Sequence, residues 1–222
     1  MKKLLEVDSI YKSYDNRMIL SDVYLKCETG DIIGVLGRNG TGKSTLLKII
    51  YGIVSAENKF IRIDYKVRQK AYMHLNEISY LPQDNFVPKY FKVSKAIRLF
   101  INKNKMLDFN NDQFIQQIFN KKIYQLSSGE LRYLEIKLIL CNDSKFALLD
   151  EPYNGISPIL VKNINGLIVK HSHEKGIILT DHNYRNVLKI ATQIYLIKDC
   201  ATKKLKREED LIRFGYLKEG ML

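Results

Sequence analysis

Gly37-Arg38-Asn39-Gly40-Thr41-Gly42-Lys43-Ser44 fits the spacing G-x-x-x-x-G-K-[ST] at every fixed position. Immediately before it, Asp31-Ile32-Ile33-Gly34-Val35-Leu36 is a short apolar run of the kind that is buried as a strand. Immediately after it, Ser44-Thr45-Leu46-Leu47-Lys48-Ile49-Ile50-Tyr51 carries apolar residues at helical spacing and stops at Gly52. Strand, glycine loop and helix, in that order, are the context that gives the spacing its physical meaning. Backbone N–H groups of the loop and the positive end of the helix then surround a polyphosphate. Lys43 reaches the outer phosphates, and the Ser44 hydroxyl takes a place on Mg²⁺. The stretch predicts a site for a nucleoside triphosphate.

The rest of the composition sets bounds on what surrounds that site. The chain has 222 residues, 45% of them apolar, with only 4 Pro and 12 Gly, which suits a globular chain with a proper core. We read residues 1–222 as a single domain. No window approaches the roughly 18 consecutive apolar residues of a membrane span, and acids at Glu6 and Asp8 come too early for a secretory signal. Cys27, Cys141 and Cys200 are far apart and lack C-x-x-C spacing, so the expectation is a reducing cytosol and isolated buried thiols. Net charge is +12. That admits a nucleotide, a nucleic acid or an anionic membrane face as partner, and equally a basic, solvated surface.

Along the chain, residues 4–10 and 19–25 alternate in short runs and read as antiparallel strands ahead of the phosphate strand. Residues 60–64 and 78–81 are further strand candidates, the second ending at Pro82-Gln83. The stretch from 85 to about 140 changes character and reads as helical, with amphipathic starts at 94–100 and 112–119. We expect it to form a helical lobe inserted into an α/β core. Its Lys89, Lys92, Lys95, Arg98, Lys103 and Lys105 form either a docking patch or a solvated face. The α/β pattern resumes with strands at 145–150, 176–180 and 193–198, alternating with helices at 157–170, 184–191 and 207–214. The predicted fold class is α/β: a phosphate-loop NTPase core on a mostly parallel sheet, an N-terminal antiparallel β subdomain and the helical lobe.

A phosphate loop also needs an acidic strand end to manage metal and water. Leu148-Leu149-Asp150-Glu151 supplies one. Asp150, at the carboxyl end of a buried strand, is placed to hold Mg²⁺. Glu151, next along, is placed to orient and deprotonate a water.

Taken in order, these features resemble the ATP-binding subunit of an ABC transporter. Leu126-Ser127-Ser128-Gly129-Glu130 resembles that family's L-S-G-G-Q signature, Tyr80-Leu81-Pro82-Gln83 its Q-loop, and Thr180-Asp181-His182 its histidine switch. The resemblance implies ATP held by Tyr14, stacked on adenine, and by Gly37, Asn39, Gly40, Thr41, Gly42, Lys43, Ser44 and Thr45 around the phosphates. It implies Mg²⁺ held by Ser44, Gln83 and Asp150, and hydrolysis assisted by Lys43, Gln83, Glu151 and His182. Ser127, Ser128 and Gly129 would bind ATP held by a second subunit, so a homodimer or heterodimer is implied. Transmembrane permease subunits would be separate chains, placing this one in the cytoplasm, peripheral on the inner face of the cell membrane.

Departures from the pattern sharpen the expectation. Ser128 stands where the family has Gly, Glu130 where Gln is usual, and Ser157 where the loop after Glu151 usually has Asp. A Glu130 carboxylate turned toward phosphate would repel it, and Ser157 would weaken the coupling between the two ATP sites; with Gln83, Glu151 and His182 all present, hydrolysis is still expected. The alternatives are a soluble ABC ATPase acting on nucleic acid or ribosomes, and an ATP-gated interaction subunit with little hydrolysis. Chains of the first kind usually carry two nucleotide domains, a long coiled coil or zinc inserts, so a nucleic-acid partner is not expected.

Overall fold

The computed structural model describes residues 2–221. β1 (Leu4–Tyr14) and β2 (Arg17–Glu28) form a hairpin, followed by β3 (Ile32–Leu36) and α1 (Lys43–Tyr51). β4 (Asn58–Ile63), the two-residue β5 (Lys66–Val67) and β6 (Ile78–Leu81) come next. Four helices then run in succession: α2 (Val93–Phe100), α3 (Met106–Asn110), α4 (Gln113–Ile118) and α5 (Ser128–Cys141). The chain closes with β7 (Phe146–Asp150), α6 (Pro158–Ser172), β8 (Gly176–Thr180), α7 (Tyr184–Leu188), β9 (Gln193–Lys198), β10 (Ala201–Lys204) and α8 (Asp210–Arg213).

The larger sheet has the order β10-β9-β3-β8-β7-β6. Its pairs are parallel except at the β10 edge. Every residue of β3, β7 and β8 is buried, because a parallel sheet is covered on both faces and its strands become continuous apolar runs. One apolar core lies between this sheet, α1 and the antiparallel sheet β2-β1-β4-β5, and includes Val7, Leu25, Leu47, Ile61 and Ile178. The other includes Ile97, Ile115, Leu138, Ile164 and Leu179 on the helices and the sheet. α5 packs on β6, β7 and α6, so the helical stretch at 85–140 rejoins the sheet through its last helix.

Several element ends differ from the sequence expectation, each for a local reason. Asp112 is the N-cap of α4, accepting from the N–H groups of Phe114 at 3.0 Å and Ile115 at 3.2 Å, so the helix starts one residue later. The C-terminal helix is shorter than residues 207–214, because Asp210 accepts from the N–H groups of Lys206 and Arg207 and fixes a turn ahead of it. β10 was not expected: Ala201-Thr202-Lys203-Lys204 has no apolar alternation. It forms because Asp199 and Cys200 both take positive φ (52° and 64°), the geometry of a two-residue hairpin turn. The same turn overturns the expectation for Cys200, which is partly exposed at the surface; Cys27 and Cys141 are buried.

Candidate nucleotide site

Parallel strands deliver their carboxyl ends to one edge of the sheet, and the cleft lies there. Its volume is about 450 Å³, and its walls include Tyr14, Asn39, Gly40, Gly42, Lys43, Ser44, Thr45, Gln83, Glu151 and His182. The glycine loop leaves β3 and enters α1 through Gly42, whose φ of 96° is costly for any residue with a Cβ. A Cβ there would also lie 2.7 Å from Ile19 Cγ2. At Gly37 an added Cβ would lie 2.6 Å from Thr41 Oγ1 and 3.2 Å from the Ile197 carbonyl. Both glycines are dictated by close approach.

Lys43 is buried, and its ammonium donates to the carbonyls of Gly37 at 2.8 Å and Arg38 at 3.2 Å. Burial pushes its pKa down, against the pull of Glu151, Asp150 and Asp181. Ser44 Oγ donates to Asp150 Oδ1 at 2.9 Å. Asp150 is fully buried and also accepts from Thr180 Oγ1 at 2.8 Å and, on Oδ2, from the Tyr80 hydroxyl at 3.1 Å. Burial, together with the Asp150 carboxylate, pushes the Tyr80 phenol up, which keeps it a neutral donor.

Glu151 has a φ of 47°, left-handed for a residue that does not favour it. Its N–H donates to the Thr180 carbonyl at 3.0 Å, and its own carbonyl accepts from Arg132 Nη2 at 3.1 Å. His182 Nδ1 lies 3.8 Å from Glu151 Oε2 and 3.8 Å from Asp181 Oδ1. Asp181 is buried and accepts from the N–H groups of Asn183 at 2.7 Å and Tyr153 at 3.2 Å; burial pushes its pKa up.

Tyr14 reaches the cleft because the β1–β2 turn is tight. Asp15 and Asn16 both have positive φ (47° and 62°), and Tyr14 pairs directly with Arg17. The Lys12 ammonium lies 4.6 Å from the Tyr14 ring centroid, so a cation sits on a ring that is otherwise half-exposed.

The sequence pattern of the family described as ABC transporter matches residues 20–154, more than half of the chain. The chain belongs to the ABC transporter family. It is 30% identical over 212 residues to the lipopolysaccharide export system ATP-binding protein LptB of Acidithiobacillus ferridurans, covering 90% of this chain and 88% of that one. To the LptB of Haemophilus influenzae it is 31% identical over 208 residues, 87% and 86% of the two chains. A probable ABC transporter ATP-binding protein of Azorhizobium caulinodans is 34% identical over 200 residues, 84% of this chain and 71% of that one. The fold is shared with a solved ATP-binding subunit of an ABC transporter at a TM-score of 0.83 and 18% identity, over 97% of this chain and 95% of the other. This ABC transporter subunit therefore binds and hydrolyses ATP and energises transport through membrane partners. Among the described residues no helix is long and apolar enough to cross a membrane.

The stretch that resembles the family signature lies elsewhere. Among the described residues, Ser127, Ser128 and Gly129 do not line the cleft. Ser127 is the N-cap of α5 and its Oγ accepts from the Glu130 N–H at 3.2 Å, while Glu130 Oε2 accepts from the Ser127 N–H at 2.7 Å. Glu130 Oε1 also pairs with Lys121 at 3.1 Å. The Glu130 carboxylate thus closes a capping box on its own helix. The spacing Ser127-x-x-Glu130 was a sequence signal for this. Sequence reasoning also missed Tyr80, Thr180 and Arg132. Tyr80 and Thr180 fall within the stretches that resemble the Q-loop and the histidine switch but were given no role of their own, and Arg132 lies inside a helix whose residues from Leu131 to Cys141 are all buried.

Proposed function

We propose that this chain acts as one half of a head-to-tail pair of ATP-binding subunits on the cytoplasmic face of a membrane. The pair drives separate membrane-spanning permease chains. The observation that carries this reading is the convergence of Lys43, Ser44, Gln83, Glu151 and His182 on one cleft that the signature residues do not reach. A nucleotide bound there would be covered by Ser127, Ser128 and Gly129 of a second subunit. The helical lobe at about 85–140 is the part that meets the permease.

In the cleft, Tyr14 stacks on adenine, and the loop from Gly37 through Thr45 surrounds the phosphates with backbone N–H groups. Lys43 turns its ammonium from the Gly37 and Arg38 carbonyls to the outer phosphates. Ser44 Oγ and Asp150 Oδ1 stand 2.9 Å apart, an all-oxygen pair that fits Mg²⁺, which takes one or two carboxylates and completes its shell from phosphates and water. Bound there with Gln83, the ion would neutralise charge on the phosphates. Gln83 orients the attacking water, Glu151 accepts its proton, and His182 braces the Glu151 carboxylate beside the γ-phosphate. Water adds to the γ-phosphorus as the bond to the β,γ-bridging oxygen breaks, leaving ADP and phosphate.

The relatives named for lipopolysaccharide export support outward transport of an amphiphilic, lipid-anchored cargo. The test of the engine is Glu151→Gln in the purified full chain. Loss of proton acceptance lowers ATP turnover by about a hundredfold or more, with ATP binding retained. Equal turnover in the two proteins would overturn the assignment.

A further inference from the structure

The segment that carries Gln83 is fastened on both sides of that residue by one helix. Arg132 Nη1 on α5 donates to the Pro82 carbonyl at 2.7 Å. One turn further along, Glu135 Oε1 accepts from the N–H groups of Phe86 at 2.8 Å and Val87 at 3.2 Å. The same guanidinium reaches a second strand, where Nη2 donates to the carbonyls of Asp150 at 2.8 Å and Glu151 at 3.1 Å. Arg132 is 5% exposed and Glu135 fully buried. Arg132 Nη1 lies 3.8 Å from Glu135 Oε2, an oxygen with no hydrogen-bond partner of its own.

A buried ion pair costs desolvation that well-packed apolar side chains would avoid. These two charges are directed at the backbone on either side of Gln83 and at the carbonyls of Asp150, which ends β7, and Glu151, which follows it. A planar guanidinium fans its donors from separate nitrogens and so spans carbonyls of two separated segments, whereas an ammonium presents its three donors from a single atom. The pair sits within the first two turns of α5, whose N-cap is the signature residue Ser127.

We propose that Arg132 and Glu135 are positioning residues that clamp the Gln83 segment and the Glu151 backbone to α5. Engagement of the helix's N-terminus by a second subunit then moves the water-orienting and proton-accepting groups as one body. This rests on the roles given above to Gln83 and Glu151. Among the described residues, neither clamp residue lines the cleft. It follows that their loss separates catalysis from binding.

The experiment uses the full chain with Arg132→Met, Arg132→Lys, Glu135→Ala and Glu135→Gln. It measures ATP turnover, nucleotide affinity and amide exchange by region. Arg132→Met and Glu135→Ala are expected to lower kcat about tenfold or more, with nucleotide affinity within about twofold, since small misplacements at a reacting centre cost that much. Arg132→Lys, which recovers one carbonyl contact, falls between Arg132→Met and the native chain. In Glu135→Ala the amides of Phe86 and Val87 exchange faster while β1 and β2 keep their protection. Glu135→Gln, which keeps an acceptor oxygen, restores most of both properties. A folded Arg132→Met with native turnover would overturn the clamp, as would unchanged exchange at Phe86 and Val87 or faster exchange through the whole chain in Glu135→Ala. Should Glu151→Gln turn over normally, the hydrolytic roles fail, and local exchange in Glu135→Ala still reads the clamp by itself.

Discussion

At the scale of single residues, the site is built by holding charged groups where water has little access. Lys43 is the clearest case. Its ammonium is buried, and two loop carbonyls compensate it at 2.8 and 3.2 Å. Phosphate oxygens would replace those carbonyls with charge-assisted bonds, about twice as strong. Lys43→Met is therefore expected to weaken ATP binding by about tenfold or more, since hydrogen bonds to charged groups contribute roughly 1.5–3 kcal/mol. Titration calorimetry with ATP reads this directly. Unchanged affinity would remove Lys43 from the phosphate site. Glu151 adds a second kind of cost: its φ of 47° persists because Thr180 holds its N–H and Arg132 its carbonyl.

At the scale of elements, the capping box at the start of α5 answers the concern raised by Glu130. The carboxylate accepts from the Ser127 N–H and pairs with Lys121, and its pKa is lowered by these partners against burial. Glu130→Ala is expected to lower stability by about 1 kcal/mol, the usual size of a lost cap, read as a shift in the urea midpoint. No shift would mean that the box is not closed in solution. Gly42→Ala is expected to fail for a different reason: it combines a positive φ with a 2.7 Å approach to Ile19. Which elements could be read from the sequence follows from the same physics. β3, β7 and β8 announce themselves because parallel strands buried on both faces are unbroken apolar runs. The edge strand β10 and the two-residue β5 are polar and short, and only their tertiary partners make them strands. In the cleft, Lys43 was legible from the spacing of the glycine loop, and Asp150 and Glu151 because they follow an apolar run. Arg132 and Glu135 were not, because a helix buried on all sides gives no polar face against which a charge stands out.

At the scale of the molecule, acid should loosen the fold through carboxylates that are paired in the folded state. The Arg68 guanidinium, 2.6 Å from Glu77, holds that carboxyl below its usual range. Burial raises the Asp112 pKa, but the Lys137 ammonium and the Tyr133 hydroxyl outweigh it and leave it lowered. Both are depressed in the folded state, so their contribution is complete above the unfolded carboxylate range and is lost as pH falls from about 5 downward. A melting temperature that holds at neutral pH and drops below about pH 5 is expected, with Glu77→Gln flattening part of the decline.

Assembly is the larger question at this scale, because the cleft and the signature do not meet within one chain. In the head-to-tail pair proposed above, the two-fold axis would create two composite sites, each made of one loop and the other copy's signature-like stretch. Two inactive variants should therefore rescue each other. A Lys43→Met chain lacks a working loop but keeps its signature, and a Gly129→Asp chain has the reverse. A Cβ added at Gly129 comes within 4 Å only of the end of Leu160, at 3.2 Å, a flexible side chain that can give way. Alone, each variant forms two broken sites. Mixed in equal amounts, half of the pairs are heterodimers with one intact site in two, so turnover should return to roughly a quarter of the native rate. Recovery of this size requires the head-to-tail arrangement. If the mixture stays as inactive as its parts while both variants remain folded, the signature is not acting across the pair, and the cleft must be completed by some other surface.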